Sequence, residues 1–133
     1  LLREMKGFNS AGDFFEGVAI EETFEGDFRP LAEESRLMPF MLVIILDLYF
    51  RLTPITMVAE TPEVQDLSRL MRIPAKLTVE ILLNYQYFDP YLRRQKQPDS
   101  NLLSPCRQIW ERYANWETSQ LAEYAEQLSA YFK

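Results

Sequence analysis

The stretch PEVQDLSRLMRIPAKLTVEILLNYQYF, residues 62–88, decides the fold. Proline is tolerated in the first turn of a helix, where its missing N–H needs no partner, so Pro62 and Pro74 mark two helix starts. Between them, Ser68 is small enough to let the second helix cross the first closely, and the apolar Ile73 pins the turn. The stretch therefore predicts two helices that meet in a helix-turn-helix-like corner.

Two interpretations of this corner stay open. In helix-turn-helix motifs the turn often contains glycine, and Arg72 stands in that place here, so an ordinary corner of a helical bundle fits the same pattern. A short strand over 55–59 and a wing over 86–97 would complete a winged-helix-like order. The predicted fold class is mainly α, a single helical domain with a helix-turn-helix or winged-helix-like middle.

The chain has 133 residues, which fits one domain with a core of its own. Its longest apolar run, Leu37–Leu46, is far shorter than the roughly 20 residues that a bilayer span needs. The run therefore predicts a buried helix, and we expect no membrane contact. The predicted helices cover 36–52, 62–72, 74–88 and 105–132.

Residues 1–35 are of a different kind. All four glycines lie here, and phenylalanines are interspersed with acidic side chains. No helical or strand periodicity is sustained, so we predict an irregular acidic N-terminal arm with one short strand near 18–20. Disordered segments seldom carry so many aromatic rings, and we expect the arm to pack on its own domain or on a partner. The domain division is an arm over 1–35 and a helical domain over 36–133.

The last predicted helix, 105–132, has a wide apolar stripe that includes both tryptophans. The stripe falters over 117–120, so we allow for a bend or a break there. A stripe this aromatic fits a buried core, and it also fits an interface, where Trp and Tyr are enriched. Both interpretations stay open.

The composition limits the available chemistry. The chain has no histidine, one cysteine and no glycine after residue 26, which removes histidine-based catalysis, the commonest metal ligand and glycine-rich phosphate loops. Cys106 alone predicts a small buried apolar side chain in a reducing, cytoplasmic compartment, and we expect no cofactor. Asp47 lies in apolar surroundings and, if buried, needs a partner such as Arg51 four residues later.

The favoured function is a non-catalytic adaptor or assembly module that binds another protein or a second copy of itself. The reason is the abundance of Trp and Tyr on helices, since these side chains anchor many interfaces. The candidate protein-binding residues are Tyr85, Tyr87, Tyr91, Trp110, Trp116 and Tyr124.

An alternative function is a DNA- or RNA-binding regulator. The chain carries a net charge of −6, yet residues 69–112 contain eight basic and four acidic side chains, a local net charge of +4. Against it, Glu80 in the polar stripe of the second helix would repel phosphates. The candidate nucleic-acid contacts are Lys76, Asn84, Arg93, Arg94 and Lys96.

A second alternative is an enzyme with a magnesium site made only of carboxylates. The N-terminal arm holds the acidic side chains that such a site would need. The candidate ligands are Asp13, Glu16, Glu21, Glu22 and Asp27.

Overall fold

The computed structural model describes residues 28–92 and 96–133. These residues are mainly helical. They form α1 (Pro39–Arg51), α2 (Pro62–Met71), α3 (Ala75–Phe88), α4 (Leu103–Tyr113) and α5 (Thr118–Ser129), with short 3-10 turns at Pro54–Thr56 and Ala130–Phe132. The helices predicted over 36–52, 62–72 and 74–88 are thereby confirmed to within a few residues at each end.

Two predictions about local structure are wrong. Residues 105–132 do not form one helix, because Glu117 takes an extended backbone that ends one helical register and starts α5 in another. The strand predicted over 55–59 is also absent from the described residues. There the backbone N–H of Thr56 donates to the carbonyl of Thr53 at 3.0 Å and that of Met57 to the carbonyl of Pro54 at 3.3 Å, which closes a 3-10 turn. The Thr56 hydroxyl adds a hydrogen bond to the Thr53 carbonyl at 2.8 Å.

Helix α1 is the centre of the molecule. Every side chain from Phe40 to Tyr49 is buried, and α1 packs against α2, α3, α4 and α5. A helix that is apolar around its whole circumference is stable only when neighbours cover all its faces. The apolar run 37–46 therefore belongs to the core, as predicted.

Asp47 is the one charged residue within this buried stretch. Its carboxylate accepts a hydrogen bond from Nε of Arg51 at 3.2 Å, which confirms the expected pairing across one helical turn. Burial raises the pKa of Asp47, and Arg51 opposes that shift only in part.

The corner between α2 and α3 depends on Arg72 and Ser68. Arg72 has left-handed backbone angles (φ 59°, ψ 42°), and the N–H of Ile73 reaches back to the carbonyl of Ser68 at 3.0 Å. The Ser68 hydroxyl donates to the carbonyl of Val64 at 2.6 Å, and its oxygen lies 2.7 Å from the hydroxyl oxygen of Thr78. Ser68 thus lies at the contact between α2 and α3.

The N-terminal arm lies mostly outside the described residues, and so does the strand predicted near 18–20. The described part begins at Phe28, whose ring stacks on that of Phe40 at 4.5 Å and approaches that of Tyr131 at 5.8 Å. The end of the arm that joins the domain thus packs on the domain itself.

None of the helices in 28–92 and 96–133 has the length and apolarity needed to cross a bilayer.

Candidate functional site

Aromatic side chains from three helices meet at one place on the surface. The ring of Trp110 lies 5.9 Å from that of Phe50, at the end of α1, and 6.3 Å from that of Phe88, at the end of α3. Tyr87 continues the group, since its ring is 5.7 Å from that of Phe88. We call this group, together with Arg107 and Glu111, the Trp110 surface.

The register of α4 places the charged members of the Trp110 surface. Arg107 and Glu111 flank Trp110 on one helical face, at the three- and four-residue spacing that brings side chains together. The guanidinium of Arg107 lies over the ring of Phe88, 4.7 Å from its centre. A groove of about 380 Å³ opens among these side chains, lined by Tyr87, Phe88, Arg107, Trp110 and Glu111.

Buried rings support the Trp110 surface from below. The inner side of Trp110 contacts Tyr49 at 5.8 Å and Tyr85 at 6.0 Å. The Tyr85 hydroxyl donates to the carbonyl of Leu42 in α1 at 2.7 Å, so α3 is anchored to the central helix at this point. The inner side of Trp110 is therefore packed against the core of the domain.

The six residues predicted to bind a partner are not all accessible. Tyr87 and Trp110 lie together on the Trp110 surface, and Tyr91 is 91% exposed in the turn that follows α3. Tyr85 has no exposed surface, and its burial raises its pKa well above the usual value. The prediction that Tyr85 meets a partner is wrong, because its position on α3 faces α1.

The remaining two lie at the junction of α4 and α5. Trp116 is exposed and covers Tyr113 and Tyr124, with ring distances of 4.9 and 5.4 Å. Tyr124 is only 8% exposed, so its prediction as a binding residue is also wrong. This junction is a separate aromatic cluster that follows the C-terminal end of α4.

Sequence reasoning missed Phe50, Phe88, Arg107 and Glu111. The spacing of Arg107 and Glu111 around Trp110 was a signal that could have found two of them. Phe50 carried no such signal, because only the packing of α1 against α4 brings its ring to Trp110.

The predicted nucleic-acid residues are divided as well. Lys76 and Lys96 are exposed, whereas Arg93 and Arg94 lie outside the described residues. Asn84 is fully buried, so the prediction that it contacts a base is wrong.

Asn84 instead borders a second cavity, of about 460 Å³, between α3 and the segment that precedes α4. Ser100 ties the segment before α4 to α3, because its hydroxyl donates to Oε2 of Glu80 at 2.5 Å and accepts from Nδ2 of Asn84 at 3.0 Å. The cavity is lined by Lys76, Val79, Glu80, Leu83, Asn84, Pro98, Asp99 and Ser100. Sequence reasoning missed it because residues 98–100 reach α3 only in the folded chain.

Cys106 is buried beside Asn84, and burial raises the pKa of its thiol to about 12, so it stays protonated as predicted for a small apolar side chain. No cluster of three or more Cys, Asp or Glu side chains in 28–92 and 96–133 is arranged to hold a metal ion. The carboxylates predicted as magnesium ligands all lie outside these residues.

No protein-family model matches the chain, and no curated protein or solved structure matches it.

Proposed function

We propose that this protein is a non-catalytic adaptor or assembly module, and that it binds another protein or a second copy of itself through the Trp110 surface. The observation that carries this proposal is the composition of the groove. It combines Trp, Tyr and Arg, the residue types that contribute most to binding energy at protein interfaces.

The rigidity of the groove supports the same function. Trp110 rests on Tyr49 and Tyr85, so binding would immobilise few additional rotamers. Phe50 is 38% exposed at its edge, and an apolar partner side chain would remove that surface from water.

The test compares two exposed rings at opposite ends of α1. Phe50→Ala removes a ring of the Trp110 surface, whereas Tyr131→Ala removes a ring of similar exposure, 38% against 40%, next to Phe40. The two places are about 15 Å apart along α1 at 1.5 Å per residue. Self-association is measured by light scattering after size-exclusion chromatography, and capture of partners from lysate by affinity purification.

Phe50→Ala and Tyr87→Ala are expected to abolish a complex that Tyr131→Ala retains. A strictly monomeric protein that captures nothing, or a complex that all three variants keep equally, would contradict the proposal.

Nucleic-acid binding through the helix-turn-helix-like corner remains the alternative, and the exposure of Lys76 and Lys96 supports it. It requires affinity that falls steeply with salt, with a log–log slope of about −0.9 for each phosphate neutralised on duplex DNA. Lys76→Ala combined with Lys96→Ala should reduce that slope. Absence of binding at low salt rejects this function.

We further propose that the protein works in a reducing, cytoplasmic compartment. Its cysteine is a free, buried thiol, which fits that setting.

The carboxylate-metal enzyme is tested by thermal unfolding with millimolar Mg²⁺, since a bound ion would raise the unfolding temperature.

A further inference from the structure

Two opposite charges on α4 have no ionic partner within the described part of the chain. Arg107 and Glu111 are both exposed, on the helical face that also carries Trp110. In residues 28–92 and 96–133 neither forms an ion pair, and Arg107 only covers the ring of Phe88. The Trp110 surface thus presents one positive and one negative charge, one helical turn apart, to solvent or to a partner.

The spacing of these two charges is self-complementary. When two copies of α4 pack antiparallel around a two-fold axis at the level of Ile109, residue 107 of each copy faces residue 111 of the other. Both contacts then join an arginine to a glutamate. Residues 107 and 111 are about 6 Å apart along the helix at 1.5 Å per residue, and the second copy presents them in reverse order, so both ion pairs form together.

The rest of the exposed face of α4 fits the same register. Around this axis Gln108 of one copy faces Trp110 of the other, and Ser104 faces Ala114. These contacts place an amide beside an indole and a hydroxyl beside a methyl group, so no like charges meet. A parallel pairing would set Arg107 against the same residue of the other copy, and such contacts between like charges are unfavourable.

Aromatic side chains on both sides of α4 lie within reach of the same contact. Phe50 is 38% exposed, 5.9 Å from the ring of Trp110, and the half-buried Tyr87 lines the groove. Two copies packed through α4 would cover these rings and place the two ion pairs beside them. Aromatic anchors of this kind supply much of the binding energy of protein interfaces.

We propose that the Trp110 surface binds a second copy of this chain, through antiparallel α4 helices with two ion pairs between Arg107 and Glu111 across the axis. The arrangement rests on the proposed function and specifies its partner. Because exposed ion pairs contribute little energy, the rings supply most of the affinity, and the charges select the antiparallel register.

Charge reversal of each residue tests the register. Arg107→Glu sets two carboxylates against each other at both contacts, and Glu111→Arg sets two guanidinium groups there. Each variant alone should weaken self-association at least about tenfold, because the change acts twice in a symmetric dimer. Sedimentation equilibrium measures the dissociation constant, and circular dichroism measures whether each variant is folded.

An equimolar mixture of the two single variants is the decisive measurement. In the mixed dimer every contact joins a carboxylate to a guanidinium, so association should return to within about threefold of that of the parent protein. The double variant Arg107→Glu/Glu111→Arg should associate with itself and only poorly with the parent. Unfolded variants would give neither result.

Two reversals elsewhere on the surface are the controls. Lys76→Glu, at the start of α3, and Glu123→Arg, on α5, affect exposed residues outside the Trp110 surface and change the net charge by the same amounts. Both should leave self-association unchanged. Charge-reversed α4 variants that associate as well as the parent, or a mixture as weak as its two components, would overturn the proposed arrangement.

The association state of the parent protein separates a second copy from any other partner. A parent protein that stays monomeric at its highest soluble concentration refutes the second copy. If it still captures another protein and Phe50→Ala abolishes that capture, the proposed function stands with a different partner. If it is monomeric and captures nothing, both are refuted.

Discussion

Arg72 has backbone angles that glycine adopts at far lower cost. The left-handed conformation costs a non-glycine residue about 1–2 kcal/mol of stability. Glycine avoids that cost, but its greater freedom in the unfolded chain offsets about 0.5–1 kcal/mol of the gain. Arg72 is exposed, so its side chain contributes little packing. We expect Arg72→Gly to raise the free energy of unfolding by about 0.5–1 kcal/mol, as measured by urea denaturation.

Arg72→Ala is the control for this prediction. It removes the same side chain and keeps the left-handed strain, so the free energy of unfolding should change little. If Arg72→Gly were no more stable than Arg72→Ala, the strain assigned to this residue would be absent.

Asp47 makes stability depend on pH. Because burial raises its pKa, the folded state holds the Asp47 proton more tightly than the unfolded state, and the resulting stability is lost as pH rises through the raised pKa. Asp47→Asn is neutral at every pH and avoids that loss. We expect the free energy of unfolding of Asp47→Asn, minus that of the parent protein, to be larger at pH 7 than at pH 3. Urea denaturation at both pH values measures this difference.

Asp66→Asn is the matched control, because Asp66 also pairs with an arginine on its own helix but is 74% exposed. If the effect of Asp66→Asn on the free energy of unfolding changed between pH 3 and pH 7 as much as that of Asp47→Asn, desolvation of Asp47 would not be the cause of the pH dependence.

At the level of elements, α2 and α3 are joined by a buried contact between two hydroxyls. Ser68 is 3% exposed and Thr78 is fully buried. Because the Ser68 hydroxyl gives its one proton to the carbonyl of Val64, it accepts a hydrogen bond from the Thr78 hydroxyl. Ser68→Ala should lower the free energy of unfolding by about 1–2 kcal/mol, because the Thr78 hydroxyl loses its partner.

A double-mutant cycle checks this contact. Thr78→Val alone should cost a similar amount, and the double variant should cost about 1 kcal/mol less than the sum of the single variants. Strict additivity would show that the two hydroxyls do not interact.

The helix boundaries show which signals a sequence carries. Pro62 and Pro74 marked α2 and α3 well, because the effect of proline on a helix start is local. The division of α4 from α5 was only partly visible. The faltering stripe over 117–120 indicated a change, but it did not show that Trp116 packs on Tyr113 and Tyr124 where the two helices meet.

The candidate sites were less predictable than the helices. The types of residue were informative, since Tyr87 and Trp110 do lie on the Trp110 surface. Burial could not be predicted, because Tyr85 and Asn84 belong to a helix that is apolar on most sides. Only tertiary packing decides which of those sides faces inward. Ser100 is a loop residue whose role depends on α3, sixteen residues earlier at Asn84.

For the molecule as a whole, α1 is the core that the other helices share. Leu46 is completely buried at its centre. Leu46→Ala should lower the free energy of unfolding by about 2–5 kcal/mol, through lost burial and the cavity left behind. Ile55→Ala, at an apolar residue that is 86% exposed, should change it by less than about 0.5 kcal/mol.

Urea denaturation followed by both circular dichroism and tryptophan fluorescence measures this effect. The two signals should shift together, since α1 touches every other helix. If Leu46→Ala cost no more than Ile55→Ala, α1 would not be the shared core.

The central position of α1 has a consequence for biosynthesis. Its residues leave the ribosome before any of the helices that cover them, and α5 is completed only about 80 residues later. At translation rates of about 5–20 residues per second, the apolar residues of α1 precede the completion of α5 by about 4–16 seconds. During that interval the apolar side chains of α1 lack the helices that bury them in the folded protein.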